Sequence, residues 1–387
     1  MFQFTALPPL SLYIHFPWCV RKCPYCDFNS HAVRGDLPED QYIDALLADL
    51  ESDLPRVWGR PVRSVFLGGG TPSLFSPEAI ERLLAGVRAR VALVPEAEVT
   101  LEANPGTVET ERFRGYRAAG VNRLSIGIQS FQPEQLKKLG RIHGRDEALA
   151  AAQAAHAAGF DNFNLDLMFG LPQQTLDEAL TDLRTALALN PTHLSLYQLT
   201  LEPNTLFHAQ PPELPDEDVL AAMQETLQAE LADAGFAQYE VSAYAHAGRR
   251  CRHNLNYWQF GDYLGIGAGA HAKITDAGGI TRLWKVKQPR NFLETAGTTD
   301  SLGGEQRLGA VDVAFEFMLN ALRLTEGIPA LLFSERTGLD PSCMQKPLTQ
   351  AMARGLLEPG LAHIRPTPLG RRFLNELVAL FLPEAKR

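Results

Sequence analysis

The chain has 387 residues, 45% hydrophobic and 21% charged, a balance that excludes a fibre or a disordered tail and implies one large domain with a smaller one appended. A formal net charge of -9 argues against a general nucleic-acid binder, which needs a concentrated basic surface. Met1 to Leu12 lacks the basic start and apolar run of a leader, and no later segment is long and apolar enough to span a membrane, so a cytoplasmic protein is expected.

From Ser11 to Ala234, short β-branched or apolar runs alternate with stretches of helical periodicity. Strands are predicted at Leu12–His15, Ser64–Leu67, Val99–Glu102, Arg123–Ile128, Asn162–Met168 and His193–Leu199. Helices are predicted at Glu39–Leu54, Pro77–Val91, Glu109–Ala119, Asp146–Ala158, Leu176–Leu189 and Asp216–Ala234, several opened by a Ser, Thr or Asp cap. Six such units with right-handed crossovers favour an incomplete (βα)6, TIM-like barrel over a doubly wound sheet. Each predicted strand ends in a chemically capable element: the cysteines after the first, Gly68-Gly69-Gly70-Thr71-Pro72 after the second, then Glu102, Gln129, Asp166 and the region of Thr200. The carboxyl ends of parallel strands build the active site in such folds, so a single catalytic-type mouth is expected.

Three of the five cysteines fall within eight residues, as Cys19-x-x-x-Cys23-x-x-Cys26, which suits a metal centre in a reducing compartment better than a disulfide framework. Soft thiolates favour iron–sulfur ligation. Structural zinc asks for a fourth ligand, for which only His15 and His31 are near. Three ligands for a [4Fe-4S] cube leave one iron open, and S-adenosylmethionine (SAM) can chelate it through its amino and carboxylate groups. The spacing is the signature of radical SAM proteins. Gly69 and Gly70, lacking side chains, would let the second loop approach SAM, although a plain tight turn uses the same residues. Glu102, Gln129, Arg141 and Asp166 offer the donors and acceptors SAM requires, and the two carboxylates would be costly on apolar strands without such a partner. Cys251 and Cys343 stand alone and read as small buried residues rather than ligands.

The stretch from Tyr13-Ile-His15 through Cys26-Asp-Phe28 resembles the radical SAM group that contains oxygen-independent coproporphyrinogen III dehydrogenases and HemW-type heme chaperones. The resemblance continues through Glu102-Ala-Asn-Pro-Gly106, Gly127-Ile-Gln129-Ser-Phe131, Asn164-Leu-Asp166-Leu-Met168 and Gly170-Leu-Pro172. It implies that Cys19, Cys23 and Cys26 hold the [4Fe-4S] cluster, and that Tyr13, Tyr25, Gly69, Gly70, Thr71, Glu102, Gln129, Arg141 and Asp166 meet SAM. The dehydrogenases carry a further cysteine two residues after the third and a longer N-terminal segment; here position 28 is Phe28, and twelve residues precede Tyr13. His253-Asn-Leu-Asn-Tyr257-Trp258 resembles the H-N-x-x-Y-W motif of the chaperone branch. By that resemblance His253 would ligate heme and Tyr257 and Trp258 would cover a porphyrin face, whereas the residues alone read as a structural helix or turn. Gly265-Ile-Gly267-Ala-Gly269-Ala-His271 matches a dinucleotide fingerprint only loosely and lacks its strand–turn–helix setting, so it reads as a loop closing over the barrel, with His271 a further candidate heme contact.

The expected architecture is therefore a radical SAM partial barrel over residues 1–240, a barrel-closing segment carrying the H-N-x-x-Y-W motif over 241–304, and a small, mostly helical, winged-helix-like domain over 305–387. That last domain holds ten Lys and Arg against nine Asp and Glu, too even a balance to drive DNA binding. The function implied is that of a heme chaperone serving recipient hemoproteins, respiratory enzymes at the membrane included. The alternatives are a coproporphyrinogen III dehydrogenase, against which Phe28 argues, and a scaffold that keeps its cluster for stability. Whether SAM is cleaved and how the chain oligomerises are not legible in the residues.

Overall fold

The computed structural model describes residues 2–106, 109–360 and 362–383. A single sheet organises it. Six strands, β1 (Leu10–Phe16), β2 (Val62–Gly69), β3 (Leu93–Ala103), β4 (Arg123–Gln129), β5 (Phe163–Phe169) and β6 (His193–Gln198), pair in parallel in chain order. Between them run α1 (Glu39–Val57), α2 (Pro77–Arg90), α3 (Glu109–Ala119), α4 (Pro133–Lys138), α5 (Arg145–Ala157) and α6 (Leu176–Ala188), with α7 (Leu206–Ala209) and α8 (Glu217–Asp233) after β6. The short strands β7 (Ala237–Gln238) and β8 (Ala243–Ala245) turn back antiparallel to cover the β6 edge.

The segment after residue 241 extends the sheet. Helix α9 (Arg252–Trp258) leads into β9 (Asp262–Ile266), a seventh parallel strand that pairs with β1 from the other side. Strands β10 (His271–Asp276), β11 (Gly279–Lys285) and β12 (Leu302–Arg307) continue antiparallel, giving the order β12-β11-β10-β9-β1-β2-β3-β4-β5-β6-β8-β7. The sequence expectation of a closing loop at Gly265–His271 is thus half right. Gly265 lies within β9, where the His271 carbonyl of β10 would stand 1.9 Å from any Cβ, and only Gly267 and Gly269 belong to the loop.

The period-two alternation of the strands sorts the residues by chemistry. One face of β1 to β6 presents Leu12, Ile14, Val65, Leu67, Val99, Leu101, Leu124, Ile126, Leu165 and Leu194 to the helices and forms the main core. The opposite face carries Ser11, Tyr13 and His15, then Ser64 and Phe66, Glu98, Thr100 and Glu102, Arg123 and Ser125, Asn164 and Asp166, and His193 and Ser195. A barrel filled by branched aliphatics would be an apolar packed core; this interior face is polar.

A second core lies under the C-terminal helices and gathers Phe260, Val313, Phe317, Met318, Phe333 and Leu377. Ile328–Pro329 pairs with His363–Ile364, and a bridge joins Leu357 to Pro366, so a hairpin-like run forms a wing on these helices, with Leu361 outside the described residues.

Candidate functional site

Phe16 ends β1, and the cysteine loop follows at the carboxyl ends of the strands. The loop is tied back on itself by parallel pairing of Trp18–Cys19 with His31–Ala32, and by donation from Val33 N–H to the Cys19 carbonyl at 2.9 Å. It is tied to the β2 loop by Gly70 N–H to the Phe16 carbonyl at 2.6 Å and Thr71 N–H to the Trp18 carbonyl at 2.7 Å. A Cβ on Gly70 would stand 2.5 Å from the Trp18 carbonyl oxygen, and one on Gly69, whose φ is +110°, would stand 2.4 Å from the His15 ring. The bareness of both glycines is therefore claimed by the cysteine loop itself, a use of the Gly-Gly pair that composition could not reveal.

The three cysteines are free and half-buried. Burial holds the thiols of Cys19 and Cys26 above their ordinary pKa. Arg141 Nη1 lies 3.6 Å from the Cys23 sulfur and Nη2 donates to Asn104 Oδ1 at 2.6 Å and to the Gly127 carbonyl at 2.8 Å. Asn104 in turn donates to Thr71 Oγ1 at 2.8 Å. A cavity of about 180 Å³ opens between Cys19, Cys23, Thr71, Asn104 and Arg141. Among the described residues no three His, Cys, Asp or Glu side chains converge on a single-ion site. The donor set fits an iron–sulfur cluster instead: three soft free thiols on one loop, a guanidinium beside one of them, and a buried Arg141 Nε with no partner among the described residues.

The remaining predicted SAM positions gather round this mouth. Glu102 accepts from Gly69 N–H at 3.1 Å, and burial, reinforced by the charge of Asp166, pushes its carboxyl up to about 8. Asp166 accepts from Asn164 Nδ2 at 2.8 Å and Ser125 Oγ at 3.1 Å, and burial holds its carboxyl above the usual range. Gln129 ends β4 at φ +68°, a conformation unfavourable for a side chain with a Cβ, and follows a bulge in the pairing with β5. Tyr13 donates to His15 Nδ1 at 3.0 Å, and His15 Nε2–H donates to the Asn29 carbonyl at 2.8 Å, which fixes the tautomer. Tyr25 packs on Phe207 of α7.

The H-N-x-x-Y-W segment divides between two surroundings. His253 lies inside the barrel at the end opposite the cysteines, its ring 5.0 Å from Phe66 and 6.4 Å from Tyr13. Ser64 donates to Ser11 at 2.8 Å, so the 3.1 Å contact between Ser64 Oγ and His253 Nδ1 takes its hydrogen from the imidazole, leaving the lone pair on Nε2. Glu98 Oε1 anchors the start of α9, accepting from Arg252 N–H at 2.8 Å and His253 N–H at 3.2 Å. Tyr257 packs on Tyr263 and Trp258, while Trp258 faces the second core under the guanidinium of Arg323. The structure does not bring Tyr257 and Trp258 into the space reached by His253. His271 is exposed and lies over Trp284.

Sequence reasoning missed Asn104, the floor residues Glu98 and Arg123, and the Asn164–His193–Tyr239 chain, in which His193 bridges Asn164 Oδ1 at 2.6 Å and Tyr239 Oη at 2.8 Å. The signal was the alternation of polar residues along β3 to β6, hidden because each strand's apolar half was read first.

Burial holds the imidazole of His253 down to about 3 and that of His15 down to about 4. An imidazole depressed in the folded chain contributes stability that is complete above its ordinary value near 6.5 and is lost as pH falls from there toward 4 and 3. Each such histidine is expected to remove about 1.4 kcal/mol of stability between about pH 7.5 and about pH 5.5. Urea midpoints at the two pH values should therefore converge by that amount in His253→Gln; an unchanged gap would show that His253 is not held neutral.

The fold and the three-cysteine loop define a radical SAM protein, and residues 13–186 match the radical SAM superfamily, with residues 310–373 matching the HemN C-terminal domain. The chain is 54% identical over 381 residues to the heme chaperone HemW of Escherichia coli, covering 98% of this chain and 100% of that protein, and 51% identical to HemW of Haemophilus influenzae, covering 98% and 99%. It also overlays the solved coproporphyrinogen III oxidase HemN of Escherichia coli with a TM-score of 0.82 at 25% identity, over 97% of this chain and 90% of that one. The chain belongs to the HemW family.

Proposed function

We propose that this protein is a heme chaperone: it holds a [4Fe-4S] cluster and SAM at the barrel mouth, binds heme, and passes it to a recipient hemoprotein. The observation that carries the reading is the 54% identity along 98% of the chain to a protein of that name. Phe28, 61% exposed where the dehydrogenases place a fourth cysteine, supports it over porphyrin decarboxylation.

Cys19, Cys23 and Cys26 would hold three irons, and Glu102, Gln129, Arg141 and Asp166 would orient SAM, with Gly69 and Gly70 locking the two loops at the spacing this requires. When bound, the cluster and SAM together supply a reducible centre capable of generating a deoxyadenosyl radical. His253, neutral and with its Nε2 lone pair uncommitted, has the state an iron ligand needs, and its Nδ1–H held by Ser64 is the arrangement that orients ligating histidines. Recipients are expected among respiratory hemoproteins. No helix among the described residues is long and apolar enough to cross a membrane, so any encounter there would be peripheral.

The test gives anaerobically reconstituted protein SAM, reductant and either hemin or coproporphyrinogen III. The expected result is a heme absorbance band and transfer of heme to an apo-hemoprotein, with no protoporphyrinogen. Formation of protoporphyrinogen would overturn the chaperone reading.

A further inference from the structure

Arg123 opens β4 on the interior face and is 2% exposed, yet its guanidinium makes no hydrogen bond or ion pair with any described residue. Its Nε is buried without a partner, and so is the hydroxyl of Thr100, the residue directly opposite it in the β3–β4 register. The carboxylates whose charge it feels have donors of their own. Glu98 is occupied by the start of α9, and Asp166 by Asn164 and Ser125. A buried cation is ordinarily paired, because desolvating it alone is costly. Here two adjacent donors, a guanidinium and a hydroxyl, face the interior of the barrel with no acceptor among the described residues.

Arg123 stands opposite Thr100 in the register, between Glu98, which anchors the floor helix, and Glu102 on the same face of β3. We propose that Arg123, with Thr100, is the carboxylate-binding site of the barrel interior, and that it pairs with a propionate side chain of the bound tetrapyrrole. This rests on the heme reading above and adds the chemistry by which the cargo is recognised. Planar guanidinium donors match a carboxylate in two places at once, so the contact also fixes the rotation of the ring about its iron ligand. Tyr239 and Cys251, which also lie near it, are engaged elsewhere, Tyr239 with His193 and the Cys251 N–H, and the Cys251 thiol with Glu98.

The carboxylate could instead be that of SAM, and the experiment separates the two sources. Reconstituted protein is titrated with hemin and with hemin dimethyl ester, whose propionates carry no charge, and separately with SAM. The unaltered protein should bind hemin about tenfold more tightly than the ester, the worth of one charge-assisted contact. Arg123→Gln should bring the two affinities together, Arg123→Lys should restore part of the difference, and SAM affinity should stay unchanged. Equal affinities in the unaltered protein, or a preference for hemin that survives Arg123→Gln, would overturn the proposal. Weakened SAM binding with the hemin preference intact would assign Arg123 to SAM and overturn it equally. Binding of neither hemin nor ester would instead sink the heme reading itself. If Arg123→Gln fails to fold, shown by lost iron and sulfide, the comparison in the unaltered protein decides alone.

Discussion

Cys23→Ala abolishes cluster assembly: after anaerobic reconstitution the variant should retain neither four irons nor four sulfides, and its visible absorption should be that of apoprotein. The loss should be complete because, on the proposed assignment, each thiolate would ligate a different iron of the cube, and no other cysteine among the described residues lies on this loop. Cys251 and Cys343 cannot stand in. The first is buried against Glu98 on the floor of the barrel, as its sequence suggests, and the second, expected to be buried, is exposed on the C-terminal module where a short 3-10 turn carries it at the surface. Cys19→Ala and Cys26→Ala should behave like Cys23→Ala, while Cys251→Ala and Cys343→Ala keep full iron and sulfide. A Cys23→Ala protein that still assembled four irons would refute the assignment.

Gly70→Ala should be nearly as damaging for a different reason. Its Cβ would enter within 2.5 Å of the Trp18 carbonyl oxygen and 2.8 Å of that of Phe16, both backbone atoms engaged by the hydrogen bonds that join the two loops. Neither can move aside without breaking those bonds, so a loss of about 3 kcal/mol is expected, at the upper end of overpacking costs. Gly86→Ala is the control. There the neighbour at 2.6 Å is the flexible end of Leu47, which can swing away. Denaturation midpoints and cluster content of the two variants should differ sharply; equal behaviour would show that the loops are not locked through Gly70.

All six predicted parallel strands are present, because each combines an apolar face with a helical period in the following segment, sharpened at α2 and α6 by the caps Ser76 and Thr175, and these signals are local. Strand β9 was hidden by Gly265, which looks like a turn in sequence and is a strand residue only because β10 crosses so closely. The cysteine loop was legible from its spacing alone. The role of Gly69 and Gly70 was not, since their neighbours, His15 and Trp18, are brought to them by the pairing of β1 with β2. Arg141 reads in sequence as a SAM contact on a loop, where an arginine is ordinarily solvated; it is buried between Cys23, Asn104 and Gly127, a contact set assembled from three separate loops. For the H-N-x-x-Y-W segment the motif announced its importance but not its partition. Helix α9 is too short to show periodicity, so the opposite destinations of His253 and Trp258 emerge only from packing.

That partition bears on how the chain can be taken apart or recombined. The helix that places His253 in the barrel places Trp258 against the second core, and Phe260, two residues on, is wholly inside it. A cut at residue 304 would strand Trp258 and Phe260 in water, and a chimaera that exchanged only the C-terminal helices between relatives would meet them with the wrong surface. The transferable unit is the C-terminal module together with residues 252–260. Anyone grafting it onto another barrel must bring the histidine's floor position along with the module that holds it there.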